Sequence, residues 1–322
     1  MKNIFSYLKI LISIALLAVL VWIMRDKLSG IGNIIKGADK ILILASIGLI
    51  IVGMILQSFR LKFLLDAQSV HLSIKDVIFL TFIGQFFNNF MPTSIGGDVV
   101  KAYYASGSSK KKLETFTAVA IDRMLGVITL VWVAVFAFIL GRQQAVNKMV
   151  IFIVFFMAVA GALFMAVIFN KKAARIFLWF KNKAKSNNIK EKLQRLYDAT
   201  NKYRHHKIYI FHALWLSLTA QVLFFYMAYL LAISISSRVS FLLLLKTLPA
   251  VSTISMLPSL NGLGIRESGF VGFLGNVMGK DNAFALSLLY LGVTLSVSVL
   301  GGIIFLFKRE FKHIIKSEVT IK

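Results

Sequence analysis

The chain contains no cysteine, three prolines, five histidines and thirteen acidic residues in 322 positions. Without cysteine there are no disulfides and no thiolate metal sites, and five scattered histidines assemble no zinc constellation, so neither a metal nor a cofactor is expected. There is no Gly-x4-Gly-Lys-Ser/Thr phosphate loop, which argues against direct use of ATP. The few acids stand against 37 Lys and Arg, for a net charge of +24. In a soluble chain that balance would point to nucleic acid; here its distribution points to a membrane instead, and no nucleic-acid partner is expected.

What the chain has in quantity is apolar sequence, 58% of all positions. Runs free of charge recur over residues 41–59, 77–97, 124–141, 149–170, 208–237 and 282–307. A hydrocarbon core of roughly 30 Å needs about 20 helical residues, so these are candidate spans. An earlier apolar run, 10–24, follows Lys2 and Lys9 but lacks a small-x-small cleavage site and ends at Arg25-Asp26-Lys27, so it reads as a retained first helix.

The cations are gathered into a few segments. Residues 170–207 hold twelve Lys or Arg and two acids, and 308–322 hold five against two. Lys- and Arg-rich loops stay cytoplasmic, which places this linker, the Lys110-Lys111-Lys112 loop and both termini on the cytoplasmic side. The expected fold is an all-α polytopic membrane protein with about eight transmembrane helices, near 8–24, 41–59, 115–140, 149–169, 208–233, 241–257, 264–279 and 283–307. Segment 77–104 leaves the cytoplasmic side after Lys75 and returns before Lys110, so it reads as a re-entrant hairpin. Segment 241–279 has a second reading, as another re-entrant pair. The whole is one integral membrane domain, with halves 1–169 and 208–322 joined by the basic linker 170–207. Within that linker Ile189, Leu193, Leu196 and Tyr197 alternate with Lys190, Lys192 and Arg195, a pattern that fits either an interfacial amphipathic helix or an ordinary cytoplasmic loop.

Two of the three prolines sit in matching contexts. Pro92 is followed by Gly96, Gly97 and Lys101, and Pro258 by Gly262, Gly264 and Arg266; the two prolines lie 166 residues apart, about half the chain. Proline removes a backbone donor and glycine loosens the backbone, so a helix breaks at each place and leaves polar groups seeking partners. Such breaks are tolerated in a membrane where they are buried in protein or line a wet cavity. The correspondence suggests an internal two-fold repeat whose broken helices meet at a substrate site.

Around these breaks stand uncharged hydrogen-bonding groups, Asn88, Asn89, Thr93, Ser94 and Asn261, and the charged residues Asp98, Lys101, Asp122, Arg123, Arg266 and Glu267. An arginine fork suits paired phosphate oxygens, and an ionisable residue inside a membrane points to function. Each has a plainer reading. Lys101 with Asp98, and Arg266 with Glu267, could be interface cations with balancing acids. Asp122 and Arg123, seven uncharged residues beyond Glu114, could be a structural ion pair. Asn88 and Asn89 could glue helices together, and Tyr103, Tyr104 and Trp132 read as belt or packing aromatics.

The segment from Phe86 to Tyr104, the Asp122-Arg123-Met124-Leu125-Gly126 element and the segment from Leu257 to Glu267 together resemble the flippase-like family related to the transmembrane region of lysylphosphatidylglycerol synthase. The resemblance runs over nearly the whole chain. It implies a multi-pass protein of the cell inner (cytoplasmic) membrane that moves a phospholipid or polyprenyl-linked lipid between leaflets. It also places Asn89, Pro92, Gly96, Gly97, Asp98, Lys101, Asp122, Arg123, Pro258, Gly262, Gly264, Arg266 and Glu267 on the family's motif positions. The sequence carries no soluble aminoacyltransferase domain after its last span, so synthesis of lysylphosphatidylglycerol is not expected, and the chain reads as a transporter rather than an enzyme. The expected partners are membrane lipids, either an anionic phospholipid or a polyprenyl phosphate, with Asp98, Asp122 and Glu267 as candidate proton carriers. Two alternatives remain: a membrane enzyme acting on a lipid-linked substrate, and a scaffold for a lipid- or envelope-synthesis enzyme.

Overall fold

A computed structural model describes residues 28–91, 95–109, 111–141, 147–169, 190, 194, 197–198, 201–203, 205–256 and 262–307. The expected first helix, the breaks at Pro92 and Pro258, the candidates Thr93, Ser94 and Asn261, and Ile189, Leu193 and Leu196 of the linker lie outside these residues. The described residues are helical, with no strand among them. In chain order the helices are α1 (Leu28–Lys36), α2 (Lys40–Ala67), α3 (Ile74–Phe90), α4 (Gly96–Ser109), α5 (Lys112–Leu140), α6 (Lys148–Phe169), α7 (Lys207–Ser234), α8 (Phe241–Ile254), α9 (Ile265–Met278) and α10 (Lys280–Phe307).

Their ends are set by local chemistry. Asp39 caps α2 by accepting from the Ile41 amide at 2.8 Å, and Ser73 and Ser240 do the same for α3 and α8 through the Asp76 and Leu243 amides, each at 3.2 Å. These side chains satisfy amides that the first helical turn leaves without partners. At the junction of α9 and α10, Gly279 has φ +85°, a left-handed conformation that glycine adopts without steric cost.

Helix length separates two kinds of element. α2, α5, α7 and α10 have 28, 29, 28 and 28 residues and are long and apolar enough to cross a membrane. α6 adds 22 strongly apolar residues. α8 and α9 have 14 residues each. At 1.5 Å per residue they reach about 21 Å, short of a core of about 30 Å. The described helices in the segments expected to cross at 241–257 and 264–279 are therefore shorter than the four long ones. α3 and α4, with 17 and 14 residues, form the corresponding pair in the first half. The order long, short, short, long thus occurs twice, in α2–α5 and in α7–α10.

Neighbour relations follow the same order. α3 packs on α10 as α8 packs on α5, and the second helix of each short pair, α4 or α9, lies against the long helix that follows it. The most extensive contact joins α2 and α7. They run antiparallel: the Asp39 amide at the start of α2 donates to the Ser234 carbonyl at the end of α7 (2.9 Å), and the Tyr203 hydroxyl just before α7 donates to the Leu64 carbonyl near the end of α2 (3.0 Å).

The interior and the outer surface differ as a bilayer requires. Leu64, Leu65, Leu244 and Leu274 are fully buried, whereas Phe152, Phe155 and Phe156 of α6 and Trp215 of α7 are exposed, the pattern of an apolar surface that faces lipid tails. Small residues permit the closest helix crossings. A Cβ on Gly97 would stand 1.8 Å from the Gly84 carbonyl oxygen, and one on Gly301 would stand 2.0 Å from that of Phe82.

Lys246 lies inside the region expected to span at 241–257 and is 1% exposed. Its ammonium donates to the carbonyl of Gly141, which ends α5, and stands 5.6 Å from the centre of the Phe138 ring. A cation there satisfies a carbonyl with no intrahelical partner and faces the negative end of the helix dipole. Lys246→Met should leave that carbonyl without its donor and cost about 1–3 kcal/mol. The change should lower the unfolding temperature of the detergent-solubilised protein; an unchanged or higher temperature would show that the contact contributes nothing.

Candidate functional site

The site forms where α3, α4 and α5 meet α7, α8, α9 and α10. α3 and α4 approach at Gly84 and Gly97, and the Asn88 side-chain oxygen accepts from the Gly97 amide at 2.8 Å, closing the pair. This crossing fixes the first turns of α4. Asp98 and Lys101, one turn apart on α4, are each 8% exposed. The aliphatic stem of Lys101 lies over Gly84, and its ammonium is 2.7 Å from Asp98 Oδ1. Asp98 Oδ2 accepts from Arg123 Nη1 of α5. One carboxylate therefore serves two cations.

Asp122 and Arg123 are consecutive on α5 and so point about 100° apart. Arg123 turns to Asp98. Asp122 turns to Arg60 of α2, whose Nε donates to Asp122 Oδ1 at 2.6 Å and whose Nη1 donates to Ser217 Oγ of α7 at 2.8 Å. Ser217 is also 2.8 Å from Thr129 Oγ1. This buried network ties α2, α5 and α7 together.

On the other side of the site, α9 is capped at its start by Gly264, whose φ is +80°. Glu267 is completely buried and divides its two oxygens: Oε2 accepts from the Gly264 amide at 2.6 Å, and Oε1 accepts from Arg266 Nη2 and Nε at 2.7 and 3.1 Å. Held in this way, the guanidinium of Arg266 lies 5.9 Å from the ring centre of Tyr290 on α10.

Two adjoining cavities are lined by these groups. One, of about 260 Å³, is walled by Arg123 and Arg266 with Asn88, Asn89, Ser252 and Tyr290, and among its described lining residues there is no carboxylate. The second, of about 220 Å³, is walled by Arg60, Asp98, Lys101, Asp122 and Arg123. Gln85, Asn88, Arg123 and Met256 line both. The arrangement sets arginine forks and neutral hydrogen-bond donors around polar space inside an apolar bundle, a setting that favours an oxyanion.

A family model described as the lysylphosphatidylglycerol synthase transmembrane region matches residues 9–302. The chain belongs to that family. No curated protein and no solved structure matches it. Membership in the lysylphosphatidylglycerol synthase transmembrane-region family agrees with the resemblance read from the motifs, and it connects the chain to a membrane-lipid role.

Most of the residues singled out in this family member's sequence come together. Asn88, Asn89, Asp98, Lys101, Asp122, Arg123 and Arg266 line one or both cavities. Glu267 stands behind Arg266 and orients it. Lys101 is buried beside Asp98, and Asp122 and Arg123 belong to two separate ion pairs, with Arg60 and with Asp98. Tyr104 is buried, while Trp132 is half exposed on the outer surface of α5. Sequence reading missed Arg60, Gln85, Ser217 and Tyr290. Arg60 had a signal: the apolar pattern resumes after it with Leu61, Phe63, Leu64 and Leu65, so the helix does not end at residue 59.

Proposed function

We propose that the protein is a lipid translocator of the flippase type, which receives the phosphate headgroup of a phospholipid or polyprenyl-linked lipid in its polar cavities. The observation that carries this reading is that Arg123 of α5 and Arg266 of α9, one from each half, line the same cavity of about 260 Å³. Transport is favoured over group transfer because every carboxylate at the site is already engaged by a cation: Asp98 by Lys101 and Arg123, Asp122 by Arg60, and Glu267 by Arg266. A general base or metal ligand needs a carboxylate that is not so committed.

The halves are read as an inverted repeat. Their matching order of long and short helices supports the repeat, and the antiparallel course of α2 and α7 supports opposite orientations. The short pairs α3–α4 and α8–α9 then enter the bilayer from opposite sides and meet at the cavities, as broken helices of transporters do. The cation-rich linker assigns the cytoplasmic side to the ends of α2 and α6 and the start of α7, in a cell membrane with both termini inside.

The test is lipid scrambling in proteoliposomes. Arg266→Ala and Arg123→Ala should each slow headgroup movement at least about tenfold, the loss expected from removing one charge-assisted contact worth about 1.5–3 kcal/mol. Rates equal to wild type in both variants would refute translocation through this site. In that case a scaffolding role beside a lipid-synthesis enzyme becomes the better reading.

A further inference from the structure

The charges at the site do not cancel. Four cations, Arg60, Lys101, Arg123 and Arg266, face three carboxylates, Asp98, Asp122 and Glu267, so the described residues carry one positive charge in excess (4 − 3 = 1).

The excess can also be located. Arg60 is matched by Asp122 and Arg266 by Glu267, one to one. Asp98 alone is shared, between Lys101 and Arg123. Of this triad only Arg123 also lines the larger cavity, and there it faces Arg266 with no carboxylate among the described lining residues. An anion entering that cavity meets a guanidinium whose carboxylate partner, Asp98, keeps Lys101 when Arg123 turns away.

From this we infer that the site selects for a single negative charge. Its ligand is a lipid phosphodiester, which is a monoanion, seated between Arg123 and Arg266. A phosphomonoester or diphosphate is disfavoured. The inference rests on the translocator reading and narrows its substrate class. Inside a bilayer, uncompensated charge is strongly disfavoured. One negative charge brings the site to neutrality, and a second leaves a buried anion without a partner. Asp98 is thus a specificity-determining residue: its charge sets how much negative charge the site accepts.

The experiment measures lipid binding to the purified full-length protein by native mass spectrometry, with two probes that differ by one methyl group. Dioleoyl phosphatidylmethanol is a diester and always a monoanion. Dioleoyl phosphatidic acid is a monoester that gains its second charge above a pKa of about 6. At pH 8 the wild type should prefer the diester about tenfold or more, the usual size of one close charge interaction in a partly buried site. Asp98→Asn raises the sum to two positive charges and should shift the ratio about tenfold towards phosphatidic acid. A second measurement needs no substitution: at pH 5, where phosphatidic acid is itself a monoanion, its binding to wild type should rise to that of the diester.

Equal binding of both probes to wild type at pH 8, with a ratio that changes neither in Asp98→Asn nor at pH 5, overturns charge selection while leaving translocation intact. Binding of both probes that is insensitive to Arg123→Ala and Arg266→Ala overturns the translocator reading as well. A third probe, a polyprenyl phosphoryl sugar, carries the same diester on a polyprenol. Tighter binding than phosphatidylmethanol assigns the lipid half to a polyprenol, and weaker binding assigns it to diacylglycerol; both outcomes support the diester.

Discussion

Arg60→Ala should be among the most destabilising single substitutions in the protein. Arg60 and Asp122 have side chains only 6% exposed, and their 2.6 Å contact is joined to Ser217 and Thr129. Removing the guanidinium leaves the Asp122 carboxylate buried without its cation, at a cost of about 3–5 kcal/mol. Replacing both partners with apolar residues of similar size, as in Arg60→Met with Asp122→Leu, removes the charge as well as the attraction and should recover most of that loss. Unfolding of the single and double variants in detergent completes the cycle. A single variant within about 1 kcal/mol of wild type would mean that water reaches the pair and screens it as at a surface. The comparison also separates architecture from specificity. Arg60 and Asp122 balance each other, so the double variant keeps the excess charge on the Asp98 triad and should keep the preference for a monoanion.

How far the sequence could reveal this architecture depended on what each residue signals locally. Long apolar runs announce spans because the hydrocarbon thickness sets their length, and α2, α5, α7 and α10 came out close to their expected positions. The hairpin expected at 77–104 rests on the charges of Lys75 and Lys110–Lys112 that bracket it in sequence, and two helices of 17 and 14 residues form there. Its counterpart at 241–279 has no such bracket. It contains Lys246, and its two helices have 14 residues each. The site was legible as a set of residues but not as a set of partners. Adjacent letters such as Asp122-Arg123 invite a pairing, as Arg266-Glu267 does, but only the second pair forms; Asp122 finds its cation 62 positions away on α2. Arg60 itself was hidden because a charge near the end of an apolar run ordinarily marks the interface, where a long side chain reaches water. Whether such a cation turns outward or inward depends on which helix packs beside it, here α5 and α7, and that contact is made across the fold.

The second large effect is expected at Gly97, where backbone meets backbone. A Cβ there would lie 1.8 Å from the Gly84 carbonyl oxygen, 2.6 Å from its carbon and 2.8 Å from Asn88 Cγ. No rotamer relieves a clash with a carbonyl, so Gly97→Ala must push α4 away from α3. Overpacking of this kind costs about 1–3 kcal/mol. It also lengthens the 2.8 Å bond from the Gly97 amide to Asn88 and shifts the next residue, Asp98, away from Arg123. Stability and transport should therefore fall together. Gly272→Ala in α9 is the matched comparison, since a Cβ there meets nothing within 4 Å. It should leave transport unchanged and stabilise its helix by about 0.5–1 kcal/mol, because alanine loses less backbone freedom than glycine on folding. If Gly97→Ala unfolds at the same temperature as Gly272→Ala and scrambles lipid as fast, the close crossing of α3 and α4 does not hold Asp98 in place, and the triad's geometry must be set from the α5 side alone.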